Sequence, residues 1–504
     1  MDYKLGFQTL KTALVSANPQ HLAELATLMD RFDKNERAER LFGSSENTRN
    51  ERAQIVFALN ELALQHCGVS FNDLCQGVQP KPVAQPEAKP KPTTPTSTLR
   101  PEPGWVTFKL QLARQAGLEF EVRALETPMG EPRTSGRLPV DTTDLVAVLK
   151  VLEKSGYTPD DFTSAQTEAL QRVGLVRDGR LVADHLKRIG KGLYDALFPG
   201  HVGVAFQMAF NQARLNRATI FLQLRFDHDA VDLARYPWEL VHDGQRHLVS
   251  AGAVEMARYI TYGEAALTLP VKPPAQMLFV ESRPRDLTTL PQENERLAVW
   301  NALQSLTSAG KLIPERLETP TYDALLDRIG GADYHLIHFD GHGIFARRCS
   351  QCRTMNYSHL TVCLSCQTPL DDVPPFGYLA FEDNSGAADF VSTEDMENLL
   401  LNSQVRLMFL SACQTGIVRG ESLFGGLGPG LIRSGVPAVV AMQFSVPVIA
   451  TINFAESFYT ALARGETVSR AVAQGRRRLF RGNTWFIPTL YLRSQDDEGH
   501  LFAE

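Results

Sequence analysis

Two segments decide the fold: YHLIHFDGHG at 334–343 and VRLMFLSACQTG at 405–416. Each begins as an apolar run of strand length and ends in a short polar turn that contains glycine. The carboxyl ends of neighbouring parallel strands meet at one edge of a sheet. If these strands are neighbours, His342 and Cys413 lie at the same edge. The sequence therefore predicts a histidine and a cysteine brought together by an α/β fold.

The surrounding sequence alternates between strand and helix patterns. A hairpin is predicted around Gly117, and apolar strands are predicted at 219–226, 276–282, 334–339, 405–412 and 436–444. Helical patterns lie between them, at 142–156, 201–216, 291–305, 393–402, 421–434 and 449–480. Strands that are apolar on both faces and separated by helices are typical of a mainly parallel sheet covered on both sides. We therefore expect an α/β/α sandwich.

A thiol and an imidazole held at one sheet edge have the parts that nucleophilic catalysis by cysteine requires. The imidazole of His342 accepts the thiol proton of Cys413, and backbone N–H groups bind the developing oxyanion. The N–H groups of Gly343 and Cys413 are the natural donors. Asp340 and Glu421 flank the two segments. Each either orients His342, binds a basic substrate residue, or is a solvated loop acid, and the last is the favoured interpretation.

Four cysteines directly after the histidine segment follow the pattern C-x2-C-x10-C-x2-C. Each C-x2-C pair presents two thiolates to one ion, which is the arrangement of a structural zinc site. His359 lies between the pairs and could replace a ligand, but four thiolates suffice. The sequence predicts one structural Zn²⁺ in an inserted zinc knuckle at 349–369, bound by Cys349, Cys352, Cys363 and Cys366.

The spacing of the two candidate catalytic residues points to a family. His342 precedes Cys413 by 71 residues, and removal of the 21-residue insertion leaves the spacing of about 50 that caspases have. HLIHFDGHG, LSACQTG, TYDALLDRI, DLARYPWELVHDG and TWFIPTLYL together resemble the CHAT family of bacterial caspase-like cysteine peptidases (clan CD). The resemblance covers roughly 105–495. It implies a caspase-like fold, with His342 as general base and Cys413 as nucleophile.

The resemblance also implies a domain plan. Residues 276–504 correspond to the CHAT peptidase half, and 105–275 to a degenerate, pseudo-caspase-like partner half. Many CHAT sequences carry an aspartate after the strand matched by AVVAMQF, where this chain has Ser445–Val448. The family therefore leaves the residue preference at the cleavage site open.

The amino-terminal part of the chain differs in composition. Eight prolines between Pro80 and Pro103 predict an extended linker at 79–104. Before it, residues 1–78 show helical periodicity and predict a small all-α bundle, in which Cys67 and Cys75 are packing residues. Its layout resembles a death-like effector-associated domain, which implies an adaptor that binds a sensor or adaptor protein.

Composition excludes several other classes. The chain of 504 residues has 51 basic and 57 acidic side chains, a net charge of −6, which gives no global attraction to nucleic acid or to an anionic membrane. The first residues are too polar for a secretory signal, and the longest apolar run, 436–450, is too short for a bilayer. Seven cysteines, an odd number, argue against a disulfide framework. We expect a cytoplasmic protein.

Several conspicuous residues are assigned ordinary structural roles. His335 and His338 belong to the core or support the site. Arg476, Arg477, Arg478 and Arg481 form a solvated helix face rather than a nucleic-acid site, and Trp238 packs where the two halves meet. The glycines of 425–430 are not a phosphate-binding loop, because no Lys-Ser/Thr follows and no strand directly precedes them.

The sequence thus predicts a cysteine endopeptidase that cleaves a protein substrate and is recruited or activated through 1–78. By family analogy, its role is bacterial antiphage defence or programmed cell death, with a gasdermin-like pore former or another effector as substrate. The rival interpretation is a non-catalytic signalling scaffold whose zinc knuckle binds nucleic acid through Arg347, Arg348, Arg353 and Tyr357.

Overall fold

The computed structural model has two compact units, residues 1–100 and 101–504. The residues that it describes are 3–14, 19–42, 52, 55–56, 59–60, 62–63, 67, 69–80, 105–250, 252, 254–287, 293–357, 360–413, 424–444, 448–495 and 499–503. The predicted linker lies almost entirely outside them, as do His359, Glu421 and residues 445–447. Among the described residues, no helix is both long and apolar enough to cross a bilayer.

The amino-terminal unit is helical, as predicted. Its helices are α1 (Tyr3–Leu14), α2 (Pro19–Phe42) and the short α3 (Phe71–Leu74), and the described residues between 52 and 67 are also helical. Cys67 and Cys75 are buried in the shared core. A Cβ on Gly6 would lie 2.4 Å from Cys75 Sγ, so glycine is what lets α1 pack this closely. Both thiols therefore have the packing role that the sequence indicated.

The second unit alternates between strands and helices. Its helices are α4 (Thr142–Lys154), α5 (Ser164–Arg172), α6 (His185–Leu197), α7 (Gly200–Leu215), α8 (Glu293–Ser308), α9 (Tyr322–Gly331), α10 (Thr393–Leu400), α11 (Phe424–Arg433), α12 (Val448–Ala463) and α13 (Val468–Arg478). Its strands are β1 (Trp105–Arg114), β2 (Glu119–Leu125), β3 (Arg133–Arg137), β4 (Val176–Arg177), β5 (Arg180–Leu181), β6 (Thr219–Phe226), β7 (Val254–Ile260), β8 (Ala275–Glu281), β9 (Leu312–Arg316), β10 (Leu336–Arg348), β11 (Met355–Tyr357), β12 (Phe376–Glu382), β13 (Ala388–Ser392), β14 (Leu407–Cys413), β15 (Ala438–Met442) and β16 (Pro488–Leu492).

One large sheet runs through this unit, in the order β13-β12-β10-β14-β15-β16-β7-β6-β1-β2-β3. β8 also pairs with β10, and β9 pairs with β8. The pairs β8–β10, β10–β14, β14–β15, β6–β7 and β1–β6 are parallel, whereas the hairpins at both ends are antiparallel. Every residue of β15 and β16 is buried, so both faces of the sheet centre are covered. The mainly parallel α/β architecture is as predicted.

A buried ionic cluster lies where β7 pairs with β16, between the strands that come from before residue 275 and those that come after it. The Glu239 carboxylate accepts hydrogen bonds from Arg258 at 2.6 Å, Gln443 at 2.8 Å and Thr489 at 2.9 Å, and it lies 3.5 Å from the Arg476 guanidinium. Burial alone would raise the pKa of this carboxyl, but Arg258 and Arg476 lower it below its ordinary value. The Glu239 cluster therefore ties five distant segments together.

The arginine prediction was wrong for one residue. Arg476 is fully buried, whereas Arg477, Arg478 and Arg481 are exposed. The cause is Glu239, which lies 237 residues earlier in the chain and supplies the charge that a buried guanidinium needs.

Candidate active site and zinc cluster

β10 carries His342 and changes partners at this residue. From Leu336 to Asp340 it pairs in parallel with β8, and from His342 to Ala346 it pairs antiparallel with β12. The expectation that the strand ends at 339 and that 340–343 form a loop was therefore wrong. β12 supplies new backbone partners, so the strand continues to Arg348. His342 consequently lies at a fork between the parallel sheet and a hairpin.

Cys413 lies beside His342. In the β10–β14 ladder, His342 is the register partner of Cys413, and this is the last pair of the ladder. The backbones of adjacent strands lie about 4.8 Å apart. His342 is buried, at 6% exposure. The backbone thus brings together the two residues that the sequence singled out, while 414–423, the rest of the cysteine segment, lies outside the described residues.

Gly343, the other candidate oxyanion donor, follows His342 within β10 and faces Leu379 of β12. Gly341 is constrained more severely, because a Cβ there would lie 2.9 Å from the Phe339 ring and 3.2 Å from the Ser282 carbonyl oxygen. Glycine at 341 therefore permits the close approach of β10 to the end of β8.

Asp340 is a buried ion-pair residue, not the solvated loop acid that was favoured. It is 4% exposed, and its carboxylate lies 2.5 Å from the Arg283 guanidinium, which also donates to the Asp340 carbonyl oxygen at 2.7 Å. Burial raises the pKa of Asp340, and Arg283 opposes that shift. Glu281, the register partner of Asp340, pairs with Arg316 at 3.0 Å. Two buried carboxylates, each paired with an arginine, thus lie side by side on β8 and β10, two residues before His342.

His338 and His335 have the structural roles predicted for them. His338 is fully buried, stacked between Phe279 and Phe409, with Nδ1 2.7 Å from the Tyr459 hydroxyl. This burial lowers the pKa of His338 to about 3, so it is neutral and cannot act as a base near neutral pH. His335 Nδ1 accepts the N–H of Gln276 at 3.1 Å.

The four predicted zinc ligands converge. Their Sγ atoms all lie within 4.8 Å of one another, and two pairs, Cys349–Cys366 and Cys352–Cys363, are 3.5 Å apart. A tetrahedral Zn²⁺ with Zn–S bonds of about 2.3 Å places its sulfurs roughly 3.8 Å apart. The donor set therefore fits zinc in chemistry, number and separation.

The two cysteine pairs have the same local geometry. In the first, Cys349 N–H donates to Thr354 O at 3.0 Å, and Arg353 N–H donates to Cys349 O at 3.0 Å. In the second, Cys363 N–H donates to Thr368 O and Gln367 N–H donates to Cys363 O. Arg353 and Gln367 both have φ of 63°. The sequences CSQCRT and CLSCQT thus form a structural repeat, which the pattern C-x2-C-x-T makes visible.

Asn356 connects the two pairs. It is 2% exposed, its amide nitrogen donates to Thr354 O at 2.8 Å and lies 3.6 Å from Cys363 Sγ, and its oxygen accepts the N–H of Leu364 at 2.9 Å. The pKa of Cys352 is lowered to about 6, first by the Thr354 hydroxyl, which favours the thiolate form that binds metal. Sequence reasoning missed Asn356, because a single asparagine between two cysteine pairs has no distinctive pattern.

Comparison of the sequence with known protein families gives one match. Residues 187–490, well over half of the chain, match the CHAT domain family. The chain belongs to this family. The assignment confirms the resemblance predicted from the sequence, that of the CHAT-domain caspase-like cysteine peptidases.

The solved structures to which this CHAT protein is similar share little sequence with it. Separase of Saccharomyces cerevisiae, in its complex with securin, is 12% identical with a TM-score of 0.40, over 76% of this chain and 30% of that chain. Gingipain R, an Arg-specific cysteine proteinase, is 11% identical with a TM-score of 0.35, over 71% of this chain and 74% of that chain. The matched region thus spans less than a third of the separase chain. No curated protein matches the sequence.

The CHAT match begins at residue 187, before the predicted boundary between 275 and 276. One sheet also crosses that boundary, so residues on both sides share one fold. The domain limits at 78, 104 and 275 stay predictions.

Proposed function

We propose that this CHAT protein is a cysteine endopeptidase in which His342 and Cys413 form the catalytic dyad. The observation that carries the proposal is the register of the β10–β14 ladder, which pairs these two residues at its last position. Family membership supports the same assignment. His342 is the general base and Cys413 the nucleophile.

The reaction would follow from this placement. His342 accepts the Cys413 proton, and the thiolate attacks the carbonyl carbon of the scissile peptide bond. The N–H groups of Gly343 and Cys413 stabilise the oxyanion of the tetrahedral intermediate. When that intermediate collapses, His342 protonates the leaving amine. Water, deprotonated by His342, then hydrolyses the thioester and restores the free thiol.

Zinc has a structural part in this proposal. Cys349, Cys352, Cys363 and Cys366 would hold one Zn²⁺, which supplies a cross-link between the two cysteine pairs. The link closes the 349–369 insertion between β10 and β12, the hairpin on which His342 lies. No step of the peptidase reaction passes through the metal.

The biological role is proposed by family analogy. The enzyme acts in the cytoplasm on a protein substrate, and its helical unit at 1–78 binds the adaptor or sensor protein that recruits or activates it. The substrate is a gasdermin-like pore former or another toxic effector, in antiphage defence or programmed cell death.

The nucleic-acid scaffold is less well supported. Two of the four side chains that would bind nucleic acid have structural partners instead. Arg347 donates to Leu370 O at 3.0 Å and to Val373 O, and Arg348 donates to Phe390 O at 3.4 Å. Arg347 therefore holds the segment that follows the insertion, and Arg348 contacts β13.

An electrophilic peptide probe tests the dyad. We expect the probe to label Cys413, identified by mass spectrometry, and we expect His342→Ala to abolish labelling. Replacement of the exposed His228 by Ala is the matched control and should leave labelling unchanged. Labelling of Cys413 that is unaffected by His342→Ala would remove His342 from the proposed dyad.

A further inference from the structure

A cavity with two arginines and two histidines among its lining residues lies between the loop 242–250 and the carboxyl end of α13, and neither dyad residue lines it. Its volume is about 530 Å³. This is within the range of roughly 300–1,000 Å³ for small-molecule sites. None of its described lining residues has a carboxylate. The lining comprises His242, Gln245, Arg246, His247, Ser250, Arg477 and Phe480.

The loop that forms one wall is held in place by its own hydrogen bonds. His242 N–H donates to Gly190 O at 3.0 Å, which fixes the loop to α6. Asp243 Oδ1 accepts the N–H groups of Gln245 and Arg246, each at 2.8 Å. The nearby carboxylate thus serves the turn, and its other oxygen is 3.7 Å from the Arg246 guanidinium. The wall is formed before any ligand arrives.

The two histidines offer complementary ring nitrogens. His242 Nδ1 accepts the Gly244 N–H at 2.9 Å, so a neutral ring carries its proton on Nε2, a donor. His247 Nδ1 lies 2.7 Å from Leu240 O and must donate to it, which leaves Nε2 of the neutral ring as an acceptor. Burial lowers the pKa of both rings, so near neutral pH the cavity's charge comes from its arginines.

The arginines come from both walls. Arg246 is on the loop, and Arg477 lies in the last turn of α13. The Arg477 side chain passes over Gly252, where an added Cβ would lie 3.0 Å from Arg477 Cδ and where φ is +67°. Within the described part of the chain, no ion pair or hydrogen bond engages the Arg477 guanidinium. The preceding residue, Arg476, is anchored by two hydrogen bonds to Pro488 O, at 3.0 and 2.9 Å.

We propose that this cavity binds a phosphorylated small molecule, a nucleotide or another compound with two or more linked phosphates. One guanidinium group can donate two parallel hydrogen bonds to two oxygens of a phosphate. The Arg246 and Arg477 groups would therefore bind adjacent phosphates. Phe480, 52% exposed at the rim, offers a ring face on which a base can stack. The His242 Nε2–H supplies a further donor to phosphate.

Such a ligand would act as a clamp. One wall belongs to the sequence before the predicted boundary at 275 and the other to the last helix of the CHAT region. A ligand that contacts both walls binds only when the loop 242–250 and α13 are packed together. Its binding therefore stabilises the folded unit. The proposal is independent of the peptidase assignment, because no lining residue belongs to the dyad.

Thermal unfolding of the full chain, with ATP, pyrophosphate or inorganic phosphate at millimolar concentration, tests the proposal. We expect ATP and pyrophosphate to raise the unfolding temperature more than phosphate does. Arg246→Ala and Arg477→Ala should each weaken ATP binding at least about tenfold in titration calorimetry. Phe480→Ala should weaken ATP binding but not pyrophosphate binding.

Arg481→Ala is the matched control, since Arg481 is exposed on the turn after α13 but does not line the cavity. This control should bind ATP as tightly as the unaltered protein does. In the absence of ligand, all variants should have the unfolding temperature of the unaltered protein. The proposal is overturned if neither ATP nor pyrophosphate binds, or if Arg477→Ala and Arg481→Ala weaken binding equally. Binding of an acidic peptide but of neither phosphate compound would instead make the cavity a protein contact.

Discussion

His338 links the burial of one side chain to the pH dependence of the whole fold. Its pKa falls from the ordinary 6.5 to about 3 in the folded chain, so the unfolded state binds more protons between these values. The stability it contributes is complete above pH 6.5 and is lost as the pH falls towards 3. His242, His247 and His335 shift in the same direction. Acid sensitivity is therefore shared among several histidines.

We predict that His338→Phe makes the free energy of unfolding less pH-dependent between pH 6 and 4. The number of protons taken up on unfolding should fall by about one. Phenylalanine keeps the stacking with Phe279 and Phe409 but cannot titrate. Urea denaturation at several pH values, followed by tryptophan fluorescence, measures this, since all four tryptophans lie in the second unit. The exposed His228→Phe serves as control, and equal pH dependence in the two variants would contradict the assignment.

Asn356 forms hydrogen bonds within the four-cysteine cluster that is the candidate zinc site. We predict that Asn356→Leu lowers zinc affinity about 10- to 100-fold, because groups that hydrogen-bond to metal ligands typically contribute that much. A competition titration with a chromophoric chelator measures the affinity. Ser365→Ala, an exposed change between Cys363 and Cys366, is the control. Equal affinities in the two variants would leave Asn356 without a role in zinc binding.

At the scale of elements, the β10–β12 hairpin connects the candidate zinc cluster to the candidate dyad. β10 runs without interruption from the parallel sheet through His342 to Arg348, the residue before Cys349. β12 pairs with β10 from Ala346 back to His342. A change in the register of this hairpin would therefore move His342 relative to Cys413.

We predict that the double variant Cys349→Ser, Cys363→Ser loses its zinc and most of its peptidase activity. The reason is that the insertion then no longer holds the hairpin in register. Elemental analysis measures the metal, and cleavage assays measure the activity. Cys67→Ala, in the amino-terminal unit, should change neither. Unchanged zinc content in the double variant would refute the metal site.

For the whole molecule, the Glu239 cluster is a buried polar contact at the β7–β16 junction. Removal of one partner from a buried ion pair costs roughly 3–5 kcal/mol, because the other charge is left uncompensated. We predict a loss of that size in the free energy of unfolding for Glu239→Leu. In contrast, Asp195→Ala, which breaks the exposed pair with Lys191, should cost less than about 1 kcal/mol. Similar losses in both variants would contradict this account.

The sequence predicted those features that depend on neighbours along the chain. Apolar runs located β6, β8, β14 and β15, and spacing alone located the four cysteines that converge. The sequence-based prediction failed where the environment of a residue depends on a partner that is distant in the sequence. Asp340 and Arg476 looked solvated because Arg283 and Glu239, their partners, are distant in sequence. The extension of β10 beyond residue 339 likewise depends on β12, which follows the insertion.

The central claim is that His342 and Cys413 act together in peptide-bond hydrolysis, and the most direct test is the rate of cleavage of a proteome-derived peptide library. Mass spectrometry of the products would compare the unaltered chain with Cys413→Ala, His342→Ala and the control His228→Ala. We predict that either dyad variant loses at least about 10³-fold in rate while the control keeps full activity. Cleavage at the same sites and within tenfold of the original rate by either dyad variant would contradict the account.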